Sequence, residues 1–196
     1  MPSSRKPAGI ILSAGESRRM GRDKALLKYR GTTFLGHLIA VLETRVAPLI
    51  VVLGHHADAI GETLPAGPQI TLNPDYRAGM LTSLQAGIRS LPAGADAALF
   101  TLVDHPAVQG ATVDRLIAQF DEQQALLAIP RYGGRRGHPV IARRSILDEI
   151  LALPPDSSAK AVMSAHRAET LFVDVDDPGI LRDVDLPEQY DELVSS

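Results

Sequence analysis

The stretch Leu12-Ser13-Ala14-Gly15-Glu16-Ser17-Arg18-Arg19-Met20-Gly21-Arg22-Asp23-Lys24 places small residues, two glycines and four cations directly after a short apolar run. Backbone amides of a glycine-containing loop can approach a phosphate closely and donate to its oxygens. Arg adds a bidentate fork and Lys a point charge. The loop therefore reads as a polyphosphate cradle or, on composition alone, as a solvated basic turn. Two familiar cradles do not fit: there is no G-x-G-x-x-G, and Lys24 follows Asp23 rather than sitting in a Gly-Lys-Ser/Thr ending. Carboxylates far downstream are the other chemical candidates. Asp104 closes the apolar run AALFTLV, and an aspartate there is either a ligand at a strand end or a turn starter ahead of His105-Pro106. Asp185 precedes Leu186-Pro187-Glu188, which also fits a helix N-cap with proline in the first turn and Glu at the box position. Asp183 is a nearby substitute for it. The segment RYGGRRGH, residues 131–138, reads as a clamp for an anionic ligand through Arg135, Arg136 and His138, or as a solvated hairpin. His55-His56 are expected to be solvated on a loop, and no H-E-x-x-H spacing points to zinc. His105 and His138 each precede proline and are expected near the site by location, without a catalytic role for His105. No serine sits in a G-x-S-x-G elbow.

The elements that must position these groups alternate along the chain. Strands are expected at Ala8–Leu12, Pro48–Leu53, Gln69–Leu72, Ala97–Val103, Leu126–Ile129, Pro139–Ala142 and Thr170–Val173. Several are continuous apolar runs, as strands covered on both faces should be. Between them, Phe34, Leu35, Leu38, Ile39 and Leu42 form one helical stripe, and Val113, Leu116, Ile117 and Phe120 another. Ser145 to Asp148 resembles a capping box ahead of Ile146, Leu147, Ile150 and Leu151. LPAGPQ (64–69) and LPPDSS (153–158) read as loops. This alternation predicts an α/β layered fold with a mostly parallel sheet, whose ligands bind beyond the carboxyl ends of the strands where strand order reverses.

Bulk properties narrow the classes. At 196 residues the chain fits a single domain over 1–196, with 45% hydrophobic residues for its core. The absence of cysteine excludes disulfides, thiolate metal sites and a cysteine nucleophile. A net charge of -3 and aromatics at only 4% give no reason to expect nucleic acid as a partner. No apolar run approaches a bilayer span, and the apolar run in MPSSRKPAGIIL is too short for a signal peptide, so a cytoplasmic protein without membrane contact is expected.

The pattern L-x-A-G-x-S-x-R-M-G-x-x-K over residues 12–24 closely resembles the signature of the MobA-like nucleotidyltransferases, which include the molybdenum cofactor cytidylyltransferases and guanylyltransferases. The likeness continues through NPDYRAGMLTSLQAGI (73–88), LVDHP (102–106), GHPV (137–140) and DVDLPEQY (183–190), in the family's order. The resemblance implies a Rossmann-like, three-layer nucleotidyltransferase fold with a mostly parallel mixed sheet. It also implies transfer of a nucleotidyl group from an NTP to a phosphomonoester, with release of pyrophosphate. Carried over residue by residue, it makes Arg19, Lys24 and Asp104 catalytic. Leu12, Ser13, Ala14, Gly15, Lys24, Asn73 and Ser83 would bind the nucleotide, with Ser83 contributing to base recognition. Asp104 and Asp185 would hold Mg²⁺, which favours one or two carboxylates together with phosphate oxygens and water.

Guanylyl members tend to carry a second glycine where this chain has Ala14, so the resemblance favours CTP over GTP, and molybdopterin as acceptor. Two positions depart from the pattern: Ser13 stands for the commoner alanine, and Leu186 for a threonine. The same scaffold activates sugar phosphates, and some relatives are accessory proteins to molybdenum hydroxylases. A non-catalytic nucleotide-binding protein serving such an enzyme is therefore the competing expectation. Retention of Lys24, Asp104 and Asp185 together argues against it.

Overall fold

The computed structural model describes residues 6–195; the N-terminal residues up to Arg5, part of the segment weighed as a leader, lie outside it. Along the chain run β1 (Ala8–Ser13), β2 (Lys28–Tyr29), β3 (Thr32–Thr33), α1 (Phe34–Leu42), β4 (Leu49–Leu53), α2 (Ala57–Gly61), β5 (Gln69–Leu72) and α3 (Met80–Arg89). There follow β6 (Ala97–Leu102), α4 (Gly110–Glu122), β7 (Leu127–Tyr132), β8 (Arg135–Arg136), β9 (Val140–Arg143), α5 (Arg144–Ala152), α6 (Ala159–Ala165), β10 (Thr170–Asp174) and α7 (Pro187–Ser195). Short 3-10 turns lie at Lys24–Leu26, Tyr76–Ala78, Arg167–Glu169 and Pro178–Leu181.

The main sheet has strand order β10-β7-β9-β6-β1-β4-β5, with β8 paired to β7. β1 pairs in parallel with both β4 and β6, whereas β9 runs antiparallel between β6 and β7. The chain steps outward from β1 to β4 and β5, then returns to the other side of β1 as β6. Strand order thus reverses between β1 and β6, and the crevice beyond their carboxyl ends is where such sheets take ligands.

Alternating side chains explain the three layers. Ile11, Val51 and Leu99 meet Leu35, Leu38, Val113, Leu116 and Phe120 of α1 and α4 on one face. Ile10, Leu12, Val52 and Phe100 meet Leu84 and Ile88 of α3 and Ile146, Leu147 and Ile150 of α5 on the other. Both expected helical stripes are the buried faces of α1 and α4, and Thr33 caps α1 by accepting from the Gly36 amide at 3.0 Å. β1 and β4 are buried throughout, as continuous apolar runs should be. A third cluster of Met20, Leu27, Tyr29, Phe34, Val184 and Leu193 ties the loop after β1 to the C-terminal helix.

Two local expectations change. Ser145 does not cap α5, because that helix begins one residue earlier, directly off β9, with Arg143 at the cap position. The Arg144 amide is already held by the Asp96 carbonyl at 2.8 Å, and Asp148 pairs with Arg144 at 2.8 Å instead of closing a box. The second change is in residues 131–138, part of which is sheet. β7 turns into β8 through Gly133 and Gly134 at φ 55° and 80°, the double left-handed conformation of a tight hairpin that glycine adopts readily.

Where this hairpin rejoins the sheet, the Gly137 backbone lies against the 3-10 turn at Pro178–Leu181, and the His138 amide donates to the Ile180 carbonyl at 3.0 Å. A Cβ on Gly137 would stand 2.1 Å from the Ile180 oxygen, a backbone atom with no room to yield. Gly137→Ala is therefore expected to destabilise the fold by about 1–3 kcal/mol. That would appear as a lower urea midpoint at unchanged slope; an unchanged midpoint would show the contact to be free to open.

Candidate active site

The loop after β1 divides its side chains, burying Met20 and Lys24 and exposing Arg18, Arg19 and Arg22. Ser17 adopts φ 51°, and its carbonyl accepts from the amides of Met20 and Gly21 at 3.0 and 3.1 Å. This turns Met20 into the core while Arg18 and Arg19 remain exposed. The Ser17 hydroxyl then accepts from the Lys24 amide at 3.2 Å, fixing the start of the 3-10 turn that carries Lys24. Lys24 is only 8% exposed. A buried ammonium needs carboxylate partners, since taking it out of water unpaired is very unfavourable.

Those partners come from the end of β6, the strand beside β1, and from the segment ahead of the last helix. Lys24 Nζ donates to Asp104 Oδ2 at 3.0 Å and also to Asp185 Oδ1. Arg19 Nη2 closes on the other Asp185 oxygen at 2.7 Å. Asp104 stands just beyond β6, and the Val184 amide donates to the Asp104 carbonyl at 2.9 Å, so the two acidic segments are tied at the backbone. Asp185 is consequently the acid that joins Asp104, while Asp183 is exposed. The N-cap reading of Asp185 does not hold. Its side chain faces the cations, and Gln189 Oε1 accepts the amides of Asp185 and Leu186 at 2.7 and 2.9 Å, the part expected of Glu188.

His105 was expected near the site but was given no role. It is buried, and its Nδ1 lies 3.0 Å from Asp104 Oδ1, so Asp104 is held on both oxygens. Burial pulls the Asp104 pKa upward, but the His105 hydrogen bond and the Lys24 charge outweigh it and bring it to about 2. The His105 ring packs against His138 at 4.8 Å between centroids. Burial, followed by the nearby His105, lowers the His138 pKa to about 4, so that ring is neutral at pH 7. The signal for His105 was its place, next to a strand-end aspartate and ahead of proline.

A cavity of about 210 Å³ opens at the carboxyl ends of β1 and β6. Leu12, Ser13, Ala14, Gly15, Lys24, Ser83 and Asp104 all line it, together with Ser17, Asp23, Tyr76 and Met80. Asn73 lies behind this wall. Its amide donates to the Thr82 and Ser83 hydroxyls at 3.0 and 2.9 Å, and its oxygen accepts from the Asp75 amide at 3.0 Å. It positions Ser83 from beneath. Glu16 ties the loop to the turn after β5, accepting from Arg77 at 2.7 Å.

The residues expected to clamp an anionic ligand, Arg135, Arg136 and His138, do not share one environment. Arg135 lines a broad groove of about 1020 Å³ with Lys28, Arg30, Tyr132 and Asp177, whereas Arg136 lies over the Phe172 ring at 5.9 Å. His138 is enclosed beside His105. The divalent-ion expectation finds a fitting donor set: two carboxylates that already converge on a common cation, with Asp104 lining the cavity.

The lowered Asp104 pKa has a stability consequence with a definite sign. A carboxyl whose folded pKa is depressed stabilises the fold above its unfolded value and loses that contribution as pH falls toward the folded one. Between about pH 4 and pH 2 the wild type is expected to lose about 2 kcal/mol more than Asp104→Asn. Urea unfolding across that range checks this; parallel curves would remove Asp104 from the account.

Comparison with known proteins identifies the family. Residues 9–170 match the MobA-like NTP transferase domain. A protein of Mycobacterium ulcerans named as a probable molybdenum cofactor guanylyltransferase is 31% identical over 188 residues, covering 92% of this chain and 91% of the relative. A solved nucleotidyl transferase from Methanothermobacter superposes with TM-score 0.82 at 25% identity, covering 97% of this chain and 96% of that one. The Rv0371c protein of Mycobacterium tuberculosis, solved in complex with manganese, superposes with TM-score 0.77 at 28% identity over 97% of this chain and 99% of its own. Among the described residues no helix is long and apolar enough to cross a membrane. The chain belongs to the MobA-like NTP transferase family of nucleotidyltransferases.

Proposed function

We propose that the protein transfers a nucleoside monophosphate from CTP to the terminal phosphate of molybdopterin, releasing pyrophosphate. The observation that carries this is the Lys24 ammonium held between Asp104 and Asp185 beside the β1 cavity, at the point where strand order reverses. A phosphomonoester has a second pKa of about 6 and is largely dianionic at neutral pH, so the attacking oxygen needs no general base. A new bond forms from that oxygen to the α-phosphorus, and the bond from the α-phosphorus to the departing pyrophosphate breaks in line. The task left to the protein is positioning and charge neutralisation.

Lys24 and Arg19 supply positive charge to the triphosphate and to the leaving pyrophosphate. The backbone of Leu12 to Gly15 holds the nucleoside, and Ser83, steadied by Asn73, faces the same cavity. Asp104 and Asp185 would hold a divalent ion, Mg²⁺ in this reading, which when bound neutralises and orients the α-phosphate. The manganese complex of the Rv0371c protein supports a divalent ion of some kind. His105, bonded to Asp104, keeps that carboxylate turned toward Lys24.

Ala14, a lining residue of the cavity at the position where guanylyl members tend to carry glycine, supports CTP as donor. GTP is the second reading, favoured by the name of the Mycobacterium ulcerans relative. Sugar phosphates are the alternative acceptors, and a molybdenum hydroxylase is the expected partner for delivery of the product.

The test is pyrophosphate release with CTP or GTP across phosphomonoesters, molybdopterin first, with and without EDTA. Metal-dependent release with CTP and molybdopterin is expected. Lys24→Ala and Asp104→Ala should each lower turnover by at least about a hundredfold while remaining folded. Near wild-type release from either variant would overturn the assigned roles, and release with a sugar phosphate alone would overturn the acceptor.

A further inference from the structure

Asp23, His55 and His56 meet at the rim of the cavity in a way that neither the nucleotide nor the Asp104–Asp185 pair accounts for. Consecutive residues of an extended chain point to opposite sides. His56 instead adopts the left-handed conformation, φ 49° and ψ 35°, and its ring folds back onto His55 with centroids 3.7 Å apart. The turn is anchored at both ends: the His55 amide donates to the Ala14 carbonyl at 3.1 Å, and the His56 carbonyl accepts from the Ile60 amide at 3.0 Å. Asp23 arrives from the loop after β1, and its Oδ2 lies 2.9 Å from His56 Nδ1. One ligand atom from each of the three side chains falls within 4.8 Å of the others.

We propose that Asp23, His55 and His56 form a binding site for one divalent transition-metal ion, separate from the Asp104–Asp185 pair. Two imidazoles and a carboxylate are a donor set for borderline ions such as Zn²⁺, Co²⁺ or Ni²⁺, whereas Mg²⁺ prefers oxygen ligands. Metal–nitrogen and metal–oxygen bonds of about 2.1 Å put neighbouring ligands of a six-coordinate ion about 3.0 Å apart. The His56–Asp23 pair already has that spacing. The ion replaces the proton they share, since both ligands bind metal in their deprotonated forms. His55 supplies the third ligand by a small closing movement of its ring. Its Nδ1 lies 3.4 Å from the Tyr76 hydroxyl, which leaves Nε2 for the metal. Three protein ligands leave further positions open. Because Asp23 lines the cavity next to Lys24, the bound ion adds positive charge at its rim.

The test uses the untagged full chain titrated with Co²⁺, read by visible absorption and calorimetry, with Zn²⁺ as competitor. One Co²⁺ per chain is expected in the wild type and in the Asp104→Asn/Asp185→Asn double variant, displaced by Zn²⁺. His56→Ala and Asp23→Asn should each weaken it by at least about tenfold. Asp23→Asn preserves shape, so it stands as the test should His56→Ala fail to fold. Absence of bound Co²⁺ in the wild type would overturn the proposal. So would Co²⁺ that is lost with Asp104 and Asp185 but retained in Asp23→Asn. Neither result depends on nucleotidyl transfer, so this site and the proposed activity stand or fall separately.

Discussion

The Lys24 ammonium between Asp104 and Asp185 is the interaction on which the site depends. It joins the loop after the first strand to the end of β6 and to the approach to the last helix, across 80 and 161 residues of chain. Each group alone would be unfavourable where it lies, because burying a charge without a partner costs several kcal/mol. Together they hold a cation and two anions at the mouth of a cavity. The backbone bond from Val184 to Asp104, and the cluster of Met20, Phe34, Val184 and Leu193, keep the three segments in register. Packing and charge thus support each other: the apolar cluster brings the acids to the lysine, and the lysine prevents the acids from repelling one another.

Sheet topology explains why the crevice is there. Reversal of strand order beside β1 leaves the carboxyl ends of β1 and β6 without a covering crossover. The β1 loop and Asp104 occupy that gap, while the antiparallel β9 brings His138 up against His105 from the other side. The cavity is therefore walled largely by the small residues of the β1 loop, with Asp23, Lys24 and Asp104 as its charged lining.

Much of this was legible from the chain alone. The strands of the main sheet other than β8 were marked within a residue or a few of their ends, several by continuous apolar runs, and the 3.6-residue stripes of α1 and α4 marked their buried faces. The loop from Leu12 to Lys24 was recognisable from small residues, glycines and cations in a fixed order, and its lining residues do surround one cavity. The two-residue strands β2, β3 and β8 were not legible, because so short a segment carries no periodicity; their turns rest on Arg30, Gly31, Gly133 and Gly134 at positive φ. The capping box at Ser145 failed because a backbone partner, the Asp96 carbonyl, had already taken the amide that starts the helix.

What the sequence determined by itself was local: the layered α/β order, the basic loop, and the presence of acids at the ends of a strand and ahead of a helix. Periodicity and short-range chemistry depend only on neighbours in the chain, so they can be read there. Which acids act together was decided in three dimensions. Asp185 rather than Asp183 reaches Lys24, and Gln189 rather than Glu188 closes the turn before α7. Arg135 and Arg136 part to different surfaces although adjacent, because neighbours on a strand face opposite ways. His55 and His56, also adjacent, come together because one left-handed residue reverses that rule. Convergence of distant side chains is set by the register of the sheet and the burial of its loops, and those exist only once the chain has folded.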